Sequence, residues 1–119
     1  MKKLIAIGIF FCSYHINAQT SYYSKRSDDN YDCNRIIKSV SGKIEIETGK
    51  ITISNFLDGG TKPLILTVDS VESKDYLYSP ATWYHCQGDG RFDIFIVQGK
   101  KKYLFDFADE VTVFQYQFY

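Results

Sequence analysis

Isoleucine recurs at every second position in two neighbouring runs, and this alternation constrains the fold more than any other feature of the chain. In residues 43–48 isoleucines alternate with glutamates, and in residues 51–55 they alternate with a threonine and a serine. Successive side chains of a β-strand point to opposite faces, so a period of two predicts two half-buried strands. A type II′ turn at residues 49–50, with glycine first, would pair Ile46 with Ile53. That register places four side chains on one face: Ile44, Ile46, Ile51 and Ile53.

The same alternation continues through the rest of the chain. Leu64, Leu66 and Val68 share one side of a strand predicted over residues 64–70. Aromatic residues make up 17% of the chain and favour pleated strands. The chain is therefore predicted to be all-β, a small antiparallel meander of seven or eight strands closed as a barrel or folded as a sandwich. The remaining predicted strands are residues 71–79, 82–87, 92–98, 102–107 and 111–119.

A turn at Asp89-Gly90 is predicted to join residues 82–87 to the next strand, because Asp-Gly suits a two-residue type I′ hairpin. That register puts Trp83, His85 and Gln87 on one face of the sheet. Cys86 then lies on the other face, so the adjacent histidine and cysteine side chains cannot hydrogen-bond side by side.

Either of two loops could follow residues 92–98, and both keep each side chain of the two flanking strands on the same face of the sheet. A loop at residues 99–100 would set Asp93 directly opposite Asp106, and like charges in that position are unfavourable. A loop at residues 100–101 avoids this pair. The later loop is therefore predicted.

Residues 1–18 have the plan of a secretory signal peptide. Two lysines precede an apolar run over residues 4–12, and Ala18 supplies a small side chain before the cleavage bond. The run is shorter than the roughly 20 residues that a membrane-spanning helix needs. The mature chain, residues 19–119, is predicted to be one secreted or periplasmic domain that does not span a membrane.

Within that domain, residues 19–42 are predicted to form an N-terminal arm and first element, and residues 43–119 the core of the β domain. Residues 19–32 are polar with scattered tyrosines, which is typical of a loosely held arm. Residues 34–40 fit either a short helical turn or a first strand.

Removal of the signal peptide takes away Cys12 and leaves Cys33 and Cys86. An even pair of cysteines in an exported chain predicts a disulfide between them. With the bridge formed, the mature chain offers one histidine and no free thiol, so neither a metal nor another cofactor is predicted.

The charges of the chain balance, with fourteen Lys and Arg residues against fourteen Asp and Glu residues. Proteins that bind nucleic acid usually carry a basic excess, so nucleic acid is not expected as a partner. The expected partner is an unknown protein or a small apolar ligand.

No side chains in the sequence form a catalytic motif. A hydrolase would have to use His85, the single histidine of the mature chain, and no nucleophile elbow accompanies it. The favoured hypothesis is a non-catalytic binding or structural module, and the alternative is a small barrel that binds an apolar ligand. The candidate ligand or partner surface comprises Trp83, His85, Tyr103, Phe114, Tyr116 and Phe118.

The last three of these residues recur at every second position near the end of the chain. Burying one aromatic side chain is worth about 1.5–3 kcal/mol, so Phe114, Tyr116 and Phe118 are predicted to face the core from an ordered closing strand. The alternative is an unpaired edge strand to which a partner adds a strand of its own.

Overall fold

The computed structural model describes residues 18–29, 35–56, 62–88, 90–109 and 112–119. These residues form ten strands, which confirms the predicted all-β class. The described parts contain no helix that is long and apolar enough to cross a membrane. In chain order the strands are β1 (Gln19–Tyr23), β2 (Arg26–Asp29), β3 (Arg35–Lys38), β4 (Gly42–Glu47), β5 (Lys50–Ile53), β6 (Leu64–Ser73), β7 (Thr82–Gly88), β8 (Arg91–Gln98), β9 (Lys101–Phe107) and β10 (Val113–Phe118).

All ten strands belong to one curled antiparallel sheet that forms a half-barrel, with the strand order β1-β4-β5-β6-β7-β8-β9-β10-β2-β3. From β4 to β10 each strand pairs with the next one in the chain, which is the predicted meander. The strand count differs from the prediction because the N-terminal residues contribute three strands of their own, whereas the strands predicted over residues 64–70 and 71–79 are one strand, β6.

The first two strands connect the two ends of the curl. Only Ser24 and Lys25 separate them, yet β1 pairs with β4 whereas β2 pairs with β10. The backbone N–H of Tyr119 donates to the carbonyl of Lys25 at 2.9 Å, and the Tyr119 carbonyl accepts from the N–H of Ser24 at 2.8 Å. One N-terminal segment therefore contacts both ends of the meander.

The expectation of a loosely held arm is wrong for residues 19–29. Tyr23, Arg26 and Ser27 are buried. The Arg26 guanidinium donates to both carboxylate oxygens of Asp28, at 2.7 and 3.0 Å, and lies 4.9 Å from the ring centroid of Phe56. The buried positions of this segment are largely polar, so hydrophobic alternation does not reveal them.

The interior of the half-barrel is filled by side chains. All four isoleucines of the β4–β5 hairpin are buried there together, as predicted. The described interior is thus a packed core, because the side chains at its centre have no exposed surface. Those with 0% exposure on this face are Ile51, Ile53, Leu66, Phe95 and Leu104.

The β4–β5 hairpin turns one residue earlier than predicted. Ile46 pairs with Ile51, so the turn consists of residues 48–49 rather than 49–50. Gly49 has a φ of 78°, and glycine adopts this left-handed conformation without steric cost. Moving the turn by one residue shifts the register by two, which leaves every side chain on its predicted face.

The β8–β9 loop also comes earlier, at residues 99–100 rather than 100–101. Gly99 has a φ of 60° at the first loop position, as a type II′ turn requires. Asp93 consequently lies directly opposite Asp106, and the prediction that this pair is avoided is wrong. The neighbouring Arg91 guanidinium, 3.3 Å from Asp106 and 3.6 Å from Asp93, offsets part of the repulsion.

The β7–β8 hairpin follows its prediction. Gly88 pairs with Arg91, and Gly90 between them has a φ of 77°, as the glycine of the predicted Asp-Gly turn requires. Trp83 and His85 share the outer face of the sheet, opposite Ile96 and Ile94 of β8. Cys86 lies on the inner face within the core, as expected from the alternation.

Cys86 is a free, buried thiol whose Sγ lies 3.5 Å from the carbonyl oxygen of Tyr84. The predicted disulfide is therefore not observed at Cys86. Its expected partner, Cys33, lies outside the described residues, as do residues 1–17 of the predicted signal peptide.

Candidate binding cleft on the outer face

A row of paired side chains crosses the outer face of the half-barrel. Thr67 of β6 pairs with Gln87 of β7, Gln87 pairs with Phe92 of β8, and Phe92 pairs with Phe107 of β9. Directly paired residues of neighbouring strands point to the same face. Four side chains therefore stand side by side across four strands, at the end of the sheet where β7 turns into β8.

A cleft of about 590 Å³ opens along this row. A cavity of several hundred cubic ångströms is in the size range of small-molecule sites. Six of its seven lining residues belong to β6, β7 or β8, so the cleft is held mainly by the hydrogen-bonded sheet. Its lining is Ile65, Thr67, Gln87, Gly88, Gly90, Arg91 and Phe92.

Phe92 forms an aromatic wall of the cleft. Its ring stacks on that of Phe107, with centroids 4.6 Å apart and the planes only 9° from parallel. Although it belongs to a central strand, Phe92 is 52% exposed. Stacking orders the ring before any ligand arrives, which lowers the entropy cost of binding against its free face.

Polar groups of different kinds meet this aromatic wall. Gln87 offers an amide that both donates and accepts, and Thr67 offers a hydroxyl. An aromatic surface with a few polar groups placed around it is the usual chemistry of a small-molecule site.

Gly88 lies between the cleft and a buried carboxylate. A Cβ atom at this position would come 3.3 Å from Asp93 Oδ2 and 3.2 Å from Leu66 Cδ2. Any side chain here would crowd both groups, so glycine allows the cleft and the carboxylate to approach each other.

Behind this glycine, Asp93 and Asp106 form a buried acid pair on the inner face. They are only 1% and 5% exposed. Arg91 Nε lies 3.6 Å from Asp93 Oδ2 and 3.3 Å from Asp106 Oδ1. Within the described part of the chain, Asp93 Oδ1, Asp93 Oδ2 and Asp106 Oδ1 accept no hydrogen bond. The Arg91 guanidinium thus attracts these three oxygens electrostatically but donates no hydrogen bond to them.

This burial shifts the protonation of the pair. Desolvation raises the pKa of Asp93 to about 6; the nearby Arg91 charge opposes the rise and Asp106 adds to it. Burial also raises the pKa of Asp106, again against the effect of Arg91. Tyr116 nearby has its pKa raised to about 12, first by burial and then by Asp106 and Asp28.

Two residues of the surface predicted from the sequence, Trp83 and Tyr103, lie together on the outer face under a cap. Residues 74–81 fold back over the sheet, and the Tyr76 ring meets both rings edge-on, at centroid distances of 6.0 and 4.9 Å. The amide of Gln98 donates to the Tyr76 carbonyl and fixes the cap in place. This cluster packs the outer face and leaves little aromatic surface free for a partner.

His85 stands on the same face and contacts a carboxylate. Its Nε2 lies 2.8 Å from Glu72 Oε1, and both side chains are more than a third exposed. Glu72 is a carboxylate, not the hydroxyl or thiol that a Ser–His or Cys–His pair uses.

The other three predicted surface residues lie on β10 and face the interior instead. Phe118 is buried, with its ring 4.9 Å from that of Tyr23, and the Tyr116 ring lies 4.8 Å from that of Phe56. Phe114 is half-buried, opposite Asp106. β10 pairs with both β9 and β2, so the predicted closing strand is confirmed and the unpaired-edge alternative is wrong.

Two further cavities occur in the described structure. A groove of about 730 Å³ follows the junction of β1 and β4, where Tyr22 is exposed. An apolar pocket of about 310 Å³ lies at the rim of the half-barrel, lined chiefly by Ile46, Val68, Val71 and Tyr84.

Sequence reasoning missed the cleft and the acid pair. No pattern in the sequence singles out Arg91. One signal was available, since alternation puts Asp93 on the same face as Phe95 and Val97, an apolar setting that is unusual for a carboxylate.

Comparison with known proteins found no matching family model, no matching curated protein and no matching solved structure.

Proposed function

We propose that this domain is an exported, non-catalytic binding module that takes its ligand in the cleft beside Phe92. The observation that carries the proposal is the exposed, stacked Phe92 ring at the wall of a 590 Å³ cleft built on three strands. A large exposed aromatic side chain held rigid in a concave site is a typical anchor for a ligand.

The chemistry of the lining supports a ligand with both a flat apolar face and hydrogen-bonding groups. Such a face would stack on Phe92, while the Gln87 amide and the Thr67 hydroxyl would bind the polar edge. The interior of the half-barrel does not compete for such a ligand, because its central side chains are fully buried against one another.

Export is part of the proposal and is supported by the sequence alone. The lysine pair, the short apolar run and Ala18 form a signal-peptide pattern, which suits a secreted or periplasmic location. The absence of catalysis is likewise proposed, because His85 contacts Glu72 and the acid pair is closed off from solvent.

A second candidate is the binding of a small apolar ligand in the rim pocket of Ile46, Val68, Val71 and Tyr84. The observation in its favour is that the apolar side chain of Val71 is exposed to solvent beside the other apolar side chains that line the pocket. At about 310 Å³ this pocket suits a smaller ligand than the cleft does.

Native mass spectrometry of the protein purified from its own host would test the proposal. A small molecule retained by the wild type, lost from Phe92→Ala and kept by Tyr22→Ala would support binding in the cleft. Tyr22 is a suitable control because it is an exposed aromatic residue in the other large groove. A small molecule that Phe92→Ala keeps and Val71→Ser loses would favour the rim pocket instead.

A further inference from the structure

The acid pair behind Gly88 has no role in the binding function proposed above. Asp93 and Asp106 point inward from directly paired positions of β8 and β9, and both are more than nine-tenths buried. Buried polar groups in proteins are nearly always hydrogen-bonded, so carboxylate oxygens without a donor need a physical explanation.

Charge counting supplies that explanation. With both carboxyl groups ionised, the cluster of two carboxylates and the Arg91 guanidinium carries one excess negative charge inside the protein. Two carboxylates that share a site do not both ionise readily, because repulsion and desolvation disfavour the second charge. One retained proton makes the cluster neutral, and a protonated Asp93 can donate to Asp106.

We propose that Asp93, Asp106 and Arg91 form a proton-holding cluster that keeps one proton in the folded protein, and that losing this proton loosens the β7–β8 turn framing the cleft. The link to the turn is structural. Gly88 and Arg91 flank that turn, both line the cleft, and both lie against the acid pair. This inference stands apart from the binding function, since neither its argument nor its test involves a ligand.

The neighbouring elements supply no further described cation to the pair. From β7, Cys86 faces Asp93, and burial raises its pKa to about 12, so the thiol stays neutral. From β6, Asp69 adds only negative charge at an exposed position. From β10, Tyr116 is neutral as well, with a pKa of about 12.

The charged groups on β2 and β3 are engaged with one another. Arg26 donates to both oxygens of Asp28. Lys38 Nζ lies 3.3 Å from the same carboxylate. Asp93 and Asp106 each form a described ion pair with Arg91, which is the cation that directly faces them. Desolvation accordingly raises the pKa of Asp93 to about 6, in agreement with the geometry.

Carbon-detected NMR of the aspartate carboxyl groups between pH 4 and 9 would test the inference. In the wild type we expect an Asp93 carboxyl titration with a midpoint near 6, and amide shifts of Gly88, Gly90 and Arg91 with the same midpoint. In Asp93→Asn this midpoint should disappear from all of these signals. The exposed Asp75→Asn variant should leave it in place.

Titration of both carboxyl groups near pH 4, the ordinary range for aspartate, would overturn the proposal. A midpoint near 6 without any movement of the Gly88 and Arg91 amides would overturn the link to the turn. If Asp93→Asn fails to fold, Asp106→Asn serves in its place: Asp93 should then titrate lower, because the neighbouring carboxylate that opposes its ionisation is gone.

Discussion

Asp93 of β8 lies directly opposite Asp106 of β9, and the two buried carboxyl groups share one nearby cation, Arg91. A cross-strand pair of like charges is unfavourable when both groups are ionised. Its presence at the centre of a packed sheet therefore implies that the folded protein and the unfolded chain differ in the protons they hold.

The first prediction concerns stability against pH. The pKa of Asp93 in the folded protein, about 6, lies above its ordinary value of 3.8. The proton it holds stabilises the fold fully below pH 3.8, and this contribution disappears as the pH rises through 6. Asp93 alone should thereby lower the free energy of unfolding by about 2–3 kcal/mol between pH 4 and 8.

Urea denaturation at a series of pH values would measure this loss. Asp93→Asn imitates the protonated acid, so it should flatten the profile and be more stable than the wild type at pH 8. Asp75→Asn should keep the wild-type slope. If the slope survives unchanged in Asp93→Asn, the pair is not its source.

The second prediction concerns the closing strand. Phe118 is 3% exposed and packs between Tyr23 and Phe95, with ring centroids 4.9 and 6.5 Å away. Phe118→Ala should cost about 3–5 kcal/mol of unfolding free energy, because it leaves a cavity at the junction of β10 and β1. Tyr119→Ala, next along the chain and half exposed, should cost far less in the same thermal or urea experiment. Equal costs would contradict the packing role of β10.

The third prediction concerns Cys86. Burial raises the pKa of its thiol to about 12, so the nucleophilic thiolate is scarce in the folded protein. A thiol reagent such as Ellman's reagent should leave Cys86 unmodified at pH 8 and react with it once denaturant is added. Lack of reaction in denaturant without a reductant would instead show a bridged cysteine, as the sequence led us to expect.

The fourth prediction concerns the cap over the outer face. Trp83 is the single tryptophan of the chain, and the Tyr76 ring packs edge-on against it. Tyr76→Ala should expose the indole, shift its fluorescence emission to longer wavelength and lower stability by about 1–3 kcal/mol. Tyr78→Ala, at a fully exposed position of the same turn, should change neither quantity. An unshifted emission in Tyr76→Ala would mean that the cap does not shield Trp83.

From β4 to β10 the strand faces could be predicted from the sequence, whereas the β4–β5 and β8–β9 turns could not. Alternation assigns the four isoleucines of the β4–β5 hairpin to one face. This holds for either of the two neighbouring turns, because the two registers differ by two residues. The exact turn depends on where glycine takes a positive φ, as at Gly49 and Gly99. Alternation carries no information on that point.

The Asp93–Asp106 pair escapes prediction for a different reason. The like-charge rule that disfavours Asp93 opposite Asp106 assumes two ionised groups, and burial next to Arg91 removes that assumption. The N-terminal strands escaped notice because their inward positions include Arg26 and Asp28, which pair with each other instead of adding to a hydrophobic pattern.

The central claim, that the cleft beside Phe92 is the binding site, is tested most directly by NMR mapping with small organic probes. Phenol, acetamide and 2-propanol titrated separately should all shift the amides of Thr67, Gly88 and Phe92, and Phe92→Ala should abolish the phenol shifts while Tyr22→Ala preserves them. Probes that cluster instead around Tyr22 or Val71, or that shift no common set of amides, would contradict the claim.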